Sequence, residues 1–174
     1  NPVNDPGKSI AVLPFKSLSD TLANQYFIDG LMEEILTNLS KIHELRVVSR
    51  TSVEQFREST ESASEIGKKL NVDYIVEGSG QKYGNTFGLR VQLIEAAKDK
   101  HIWAETYERK IRKTKDIFKI QSRVARSIAA ELKATITPDE KLRIEKIATT
   151  NLTAYDFYLR GRAEQEKYWL DNKN

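Results

Sequence analysis

Residues 74–108 read YIVEGSGQKYGNTFGLRVQLIEAAKDKHIWAETYE, and this stretch decides the fold. Apolar and polar side chains alternate along three runs within it, residues 74–81, 86–94 and 101–108. Alternation with a period of two is typical of strands that bury one face, and short turns join antiparallel neighbours. The stretch therefore predicts an antiparallel meander, whose buried face carries Phe87, Leu89, Val91 and Leu93.

The segments around the meander predict further strands and helices. Residues 9–15 form an apolar run with a proline near its end, as expected of an interior strand. Residues 45–49 form a second short strand, and apolar residues at helical spacing predict long helices from about Ala23 and Asp116. These elements predict an α/β (α+β) domain, a mixed sheet with a C-terminal antiparallel meander covered by helices.

The domain boundaries follow from the same patterns. Residues 9–136 hold the predicted sheet and its helices, and the polar, proline-containing residues 1–8 are typical of a linker. A break at Thr137-Pro138 and a further helix from about Leu152 predict that residues 137–174 form a helical extension. We therefore expect one domain with a helical tail.

Short signals predict how the helices begin and why glycines interrupt the regular elements. The patterns Thr51-x-x-Glu54, Ser62-x-x-Glu65 and Thr137-x-x-Glu140 have the form of capping boxes, and Asn71 is suited to a helix end. A glycine within a helix needs a packing reason, and at Gly30 a close approach of helix to strand is one such reason. The glycines of the first meander strand predict a bulge or close packing there, at Gly78 and Gly80.

Composition excludes several functional classes. Hydrophobic residues make up 39% and charged residues 30%, which is enough to bury a core beneath a charged surface. The chain has no cysteine, which excludes disulfides, thiolate catalysis and thiolate metal sites. No apolar run approaches the roughly 20 residues that span a bilayer, so any membrane contact is expected through a segment outside this chain.

No catalytic or metal-binding constellation emerges from the residue types. The only histidines, His43 and His101, fall in different predicted elements, so neither a metal nor a cofactor is expected. Glu33 and Glu34 are adjacent on a predicted helix and point in different directions, which favours a solvated face over a catalytic pair. A hydrolase has little support, and the chain is not expected to be an enzyme.

A basic run at residues 109–115 is the one dense cluster of positive charge. It could contact phosphates or anionic lipid headgroups, but such runs are more often solvated loops. The formal net charge is only +3, and neither base-stacking aromatics nor a helix-turn-helix accompany the run. Direct nucleic-acid binding is therefore not expected.

An ordered set of short motifs resembles a known family. The motifs are IAVLPF at 10–15, YFIDG at 26–30, SRTS at 49–52, EGS at 77–79, HIWAE at 101–105 and YLRGR at 158–162. Their order and spacing resemble the TolB amino-terminal-like domain that precedes tetratricopeptide repeats in bacterial membrane-anchored regulators. The helical extension then resembles the start of a repeat array.

This resemblance implies a non-catalytic sensory or scaffolding domain that binds proteins. Related domains occur in parents that carry adenylate-cyclase, kinase or DNA-binding domains. By the same analogy the domain is expected on the periplasmic side of the inner membrane, with the cytoplasm as the alternative.

The aromatic residues of the last helix are expected to need a partner surface, because a first repeat helix alone leaves its apolar face uncovered. The small residues Gly161 and Ala163 are expected to allow close helix approach. We therefore predict binding of a protein partner, or self-association, through the side chains of Tyr155, Tyr158, Leu159, Tyr168 and Trp169.

An alternative function is the binding of a small anionic ligand at Ser49, Arg50 and Thr51, where a predicted strand ends. A guanidinium offers a planar fork of donors for such a ligand. The competing interpretation is a structural arginine paired with Glu54 or Glu77, and we favour it because surface charges are usually paired in this way.

Overall fold

The computed structural model describes residues 8–171, with side chains as far as Tyr168. Most of the predicted linker and the Trp169 side chain therefore lie outside the described residues. Six strands form one mixed sheet in the order β3-β1-β4-β5-β6, with β2 paired to β4. The strands are β1 (Ser9–Val12), β2 (Lys16–Ser17), β3 (Arg46–Val47), β4 (Tyr74–Tyr83), β5 (Thr86–Glu95) and β6 (Lys100–Lys110).

The sheet has two parts, as the hydrophobic patterns indicate. Strand β1 lies in the interior and pairs in parallel with β3 and β4. Strands β4, β5 and β6 form the predicted antiparallel meander, with one register shift between Leu93 and Ile94. Phe87, Leu89, Val91 and Leu93 are buried, whereas Arg90 between them is exposed. The predicted mixed α/β fold is therefore confirmed.

Among residues 8–171, six α-helices accompany the sheet, with one 3-10 turn (Glu54–Phe56) after the second helix and another (Ala96–Lys98) between β5 and β6. Their bounds are α1 (Leu22–Ser40), α2 (Arg50–Val53), α3 (Ala63–Leu70), α4 (Thr114–Glu131), α5 (Pro138–Glu145) and α6 (Leu152–Asp171). Helix α1 packs on β4 and on α4, and the rings of Phe27 and Phe87 meet edge to face at 5.6 Å. Within residues 8–171, none of the helices combines the length and apolarity needed to cross a membrane.

The helix starts agree with two of the three predicted capping boxes. Ser62 and Thr137 each form a complete box, with Glu65 and Glu140 respectively. The third prediction is wrong, because α2 begins one residue before Thr51 and its cap is Ser49, whose hydroxyl accepts from the Ser52 N–H. Helix α3 ends at Asn71 with φ 52°, the left-handed conformation that asparagine tolerates.

The buried carboxylate of Glu140 joins α5 to the loop after α1. One of its oxygens accepts the His43 N–H at 2.9 Å and lies 2.8 Å from His43 Nδ1, and the other accepts the Thr137 N–H at 2.8 Å. Hydrogen bonds from the backbone N–H groups of Thr137 and His43 lower the pKa of Glu140 to about 2. Glu140 thus links two segments that are distant in the sequence.

We expect Glu140→Gln to remove an acid-sensitive part of the stability. A carboxylate with a lowered folded-state pKa stabilises the fold above its ordinary pKa of 4.5, and this contribution is lost as the pH falls toward 2. The melting temperature of the variant should therefore be lower than that of the wild type at neutral pH. The difference between the two melting temperatures should shrink as the pH falls from 4.5 toward 2. Thermal unfolding followed by circular dichroism measures it. Asp139→Asn, at an exposed neighbouring carboxylate, is the control, and a difference independent of pH would contradict the assignment.

Candidate functional site

The predicted anion-binding residues lie where β3 runs into α2. The Ser49 hydroxyl is used as the helix cap, and Thr51 is exposed. The Arg50 side chain is only 13% exposed, with Nη1 2.6 Å from a Glu54 carboxylate oxygen and Nη2 3.4 Å from Glu166. The predicted pairing with Glu54 is confirmed, whereas Glu77 instead accepts a hydrogen bond from Gln92 at 2.8 Å. Carboxylates therefore face both terminal nitrogens of Arg50.

Arg57 extends this cluster of charges to α1. Its Nη1 lies 2.9 Å from Asp29, and its Nε and Nη2 both contact the Glu54 carboxylate. Burial by itself would lower the pKa of Arg57, but hydrogen bonds to Glu54 and the charge of Asp29 outweigh it and raise that pKa. Arg57 therefore remains a fixed positive charge between two acidic side chains.

Helix α6 supplies the third side of the cluster. Arg162 forms an ion pair with Glu33 of α1, and its guanidinium lies 5.7 Å from the centre of the Tyr158 ring. The Glu33 side chain is only 12% exposed, and Glu166 reaches Arg50. Charged side chains of α1, of α2 with the 3-10 turn after it, and of α6 thus meet in one place, which we call the α1–α2–α6 junction: Asp29, Glu33, Arg50, Glu54, Arg57, Arg162 and Glu166.

The predicted solvated face at Glu33 and Glu34 is wrong, because α6 covers it. Glu33 is paired as described above, and burial raises the pKa of Glu34, an effect that the nearby charge of Lys41 opposes. Sequence periodicity places both residues on the same helix but contains no signal for a second helix packed over them. These acids are the part of the site that sequence reasoning missed.

A glycine lets α6 approach α1 closely. A Cβ atom at Gly30 would overlap a δ-methyl group of Leu159, which is 5% exposed. The predicted approach of helix to strand at Gly30 is therefore wrong, because the close neighbour is another helix. Gly161 has no such role, since nothing lies within 4 Å of a Cβ placed there. Ala163 does line the α1–α6 contact, as expected.

The predicted partner-binding residues divide between the two sides of α6. Tyr155 is 4% exposed, and its ring meets Phe118 of α4 edge to face at 5.4 Å. Burial raises its pKa, and its hydroxyl accepts from Gln121 at 3.2 Å. Tyr155 and Leu159 therefore attach α6 to its own domain.

Other aromatic side chains of α6 remain on its outer surface. Tyr168 is 65% exposed, whereas Tyr158, which is 46% exposed, lies beside Arg162 at the edge of the α1–α6 contact. Phe157, which the sequence analysis did not single out, is 67% exposed. Phe157 lies on the side of α6 opposite the buried residues Tyr155 and Leu159. The sequence pattern does not distinguish these two sides, and only the packing of α6 on α1 does. An aromatic outer surface thus accompanies the charged inner one.

Comparison with known proteins identifies the family of this chain. A sequence profile described as HilA/YgeH-like transcriptional regulator, second domain, matches residues 6–127, more than half of the chain. A protein of Rhizobium meliloti (strain 1021) named "Putative adenylate cyclase 3" is 36% identical over 154 residues. The matched region is 88% of this chain and 26% of that protein, so the chain corresponds to only part of its relative.

Solved structures share the fold at low sequence identity. TolB from Acinetobacter baumannii gives a TM-score of 0.53 at 18% identity, over 74% of this chain and 29% of TolB. Lipoprotein GNA1162 from Neisseria meningitidis gives a TM-score of 0.53 at 16% identity, over 71% of this chain and 99% of the lipoprotein. The resemblance to TolB is thus confirmed as a likeness of fold. By the match over residues 6–127, the chain belongs to the family of HilA/YgeH-like transcriptional regulator second domains.

Proposed function

We propose that this chain is a non-catalytic sensory or scaffolding domain that acts through its C-terminal helix. In this proposal α6 binds a protein partner, or a second copy of the chain, and its attachment to α1 relays the state of the α/β domain. The observation that carries the proposal is the construction of the α1–α2–α6 junction. One helix is held by ion pairs on one side and presents exposed aromatic side chains on the other.

The type of contact supports a releasable attachment. Arg162 and Glu166 are 35% and 36% exposed at the side chain, so solvent and salt reach the α6 half of each ion pair. The apolar part of the contact is small and centres on Leu159 and Tyr155. A partner that covers the outer surface of α6 would therefore compete with a modest set of contacts.

The setting of the domain is part of the same proposal. We place α6 at the start of a tetratricopeptide repeat array, where a following helix would cover Phe157 and Tyr158. The name of the Rhizobium meliloti relative and the family description support a regulatory parent. The lipoprotein among the structural neighbours supports a periplasmic location, whereas the transcriptional-regulator family supports the cytoplasm as the alternative.

An anionic ligand at Ser49, Arg50 and Thr51 has less support. The side chain that would bind it already faces Glu54 and Glu166, and the Ser49 hydroxyl caps α2. A ligand anion would have to displace a carboxylate that belongs to the chain. The geometry therefore favours a role for Arg50 in holding α6.

The relay role predicts that α6 can leave α1 while the sheet stays folded. The chain has no cysteine, so spin labels can be attached at Lys68→Cys in α3 and Gln165→Cys in α6, both exposed positions. We expect a narrow distance distribution at low salt that broadens in about 1 M salt. Arg162→Met should broaden it already at low salt, because Glu33 loses its cation.

The matched control is Arg160→Met, which removes an exposed arginine of the same helix that pairs with Asp156 within α6. It should leave the distribution narrow at low salt. A distribution that stays narrow in every condition and variant would show α6 to be a fixed part of the fold, and the relay role would be abandoned.

A further inference from the structure

An open groove of about 740 Å³ runs along α4, away from the residues of the α1–α2–α6 junction. The end of β6 and the segment after α5 form its other borders. Five of its lining residues are cations: Arg109, Lys115, Lys119, Arg123 and Arg126. The groove therefore includes both ends of the basic run noted in the sequence, Arg109 and Lys115, and continues that run along the helix.

The cations of α4 form a stripe with regular spacing. Lys115, Lys119 and Arg123 are four residues apart, so they lie on one face of the helix about 6 Å from one another along its axis. Arg126 lies on the same face near the end of the groove. A regular row of this kind matches a ligand that carries anionic groups at a similar repeat.

Two of the cations are already paired and two are not. Arg123 lies 2.8 Å from Glu105, and Arg126 lies 2.8 Å from Glu145. Within the described part of the chain, Lys115 and Lys119 are exposed and form no ion pair. The acid between them in sequence, Asp116, accepts the N–H groups of Arg112 and Lys113 at 2.9 and 3.1 Å. The Lys115–Lys119 end of the stripe is therefore open to an external anion.

The remaining lining of the groove is mixed, because Asp116, Ser122 and Glu145 are polar and the other three residues are apolar. Ile147, in the segment after α5, is 36% exposed, and Phe118 and Ile120 form buried parts of the wall. The Phe118 ring packs on Tyr155 and is 9% exposed, so it offers no face for base stacking. An open groove that combines a row of cations with an exposed aliphatic side chain is suited to a single extended chain.

We propose that the α4 groove binds an extended acidic segment of a partner protein. Side chains two residues apart in an extended peptide lie on one face about 6.6 Å apart, close to the spacing of the α4 cations. Carboxylates at alternate positions then face Lys115 and Lys119, a third competes with Glu105 for Arg123, and the intervening side chains turn toward Ile147. This binding site is independent of the proposed role of α6.

Fluorescence anisotropy with the labelled pentapeptide ELELE tests the proposal on the intact chain. We expect saturable binding that weakens as salt is added, because the lysines are exposed. The double variant Lys115→Glu, Lys119→Glu should raise the Kd by about tenfold or more. Lys68→Glu with Lys141→Glu makes the same charge change at exposed helix positions outside the groove and should leave the Kd unchanged.

Three results would overturn the proposal. The first is no saturable binding of ELELE, and the second is equal weakening in both double variants, which would show attraction by net charge alone. In the third, ELELE does not bind, whereas duplex DNA or phosphatidylserine vesicles bind the wild type and bind the Lys115→Glu, Lys119→Glu variant more weakly. That result would reassign the groove to a different polyanion. Circular dichroism confirms that each variant keeps the wild-type fold.

Discussion

Gly30→Leu is expected to detach α6 from α1 and to lower the free energy of unfolding by about 1–3 kcal/mol. A Cβ atom at Gly30 already overlaps a Leu159 methyl group, and the rest of a leucine side chain has no space to enter. The helix itself gains about 1 kcal/mol when glycine is replaced, so the steric cost is the larger effect only if α6 is tightly docked.

Urea unfolding and amide hydrogen exchange distinguish the loss of stability from the detachment of α6. The unfolding midpoint reports the loss of stability, and exchange should show lost protection in α6 while the meander stays protected. Gly161→Leu is the matched control, because it makes the same substitution in α6 where the surroundings are open. We expect it to be neutral or to stabilise the chain by about 0.5–1 kcal/mol.

A compensating change provides a further check. Gly30→Ala adds a single methyl group, and the end of the Leu159 side chain can rotate to make partial room for it. Combining it with Leu159→Ala removes the overlapping methyl groups, so the double variant should be less damaged than the sum of the two single variants. Simple additivity would show that Gly30 and Leu159 do not meet in solution.

The pairing of Gly30 with Leu159 shows what the sequence could predict and what it could not. The period-two alternation of β4, β5 and β6 gave the meander, and the box at Thr137 gave the start of α5, because both signals are local. The ion pair of Arg50 with Glu54 is also local, at a separation of four residues. The contact of Arg50 with Glu166 crosses 116 residues and leaves no trace in any local pattern.

The errors at Gly30, Glu33 and Glu34 share a cause. The local pattern predicts a strand beside Gly30 and solvent around Glu33 and Glu34, whereas the actual neighbour of all three is α6. A helix with aromatic residues on both sides does not reveal which side is buried until its partner is known. Tyr155 and Phe157 are two residues apart, yet they are 4% and 67% exposed.

Four of the six short motifs that carried the family resemblance meet in pairs. Gly30 of the YFIDG motif contacts Leu159 of the YLRGR motif. Phe15 of the IAVLPF motif packs in the same manner on Gly78 of the EGS motif. The glycines of the YFIDG and EGS motifs are therefore explained by close packing against a side chain of another motif.

Gly78→Ala is accordingly expected to lower the free energy of unfolding by about 1–3 kcal/mol, and to do so more than Gly30→Ala. Three carbons of the Phe15 ring would lie 2.7 to 2.8 Å from the added Cβ atom. The ring is 1% exposed and rigid, so it cannot rotate away as the end of a leucine can. The whole contact between β4 and the segment that joins β1 to β2 must shift instead.

The neighbouring strand supplies the control for this prediction. Gly88 of β5 lies in the same sheet, and nothing is within 4 Å of a Cβ atom placed there. Gly88→Ala should therefore be neutral or stabilise the fold by about 0.5–1 kcal/mol, since alanine loses less backbone entropy on folding. Equal urea midpoints for the two variants would contradict the close contact of Phe15 with Gly78. Partial recovery of Gly78→Ala by Phe15→Leu would confirm that the aromatic ring, and not a general intolerance of strand β4, requires the glycine.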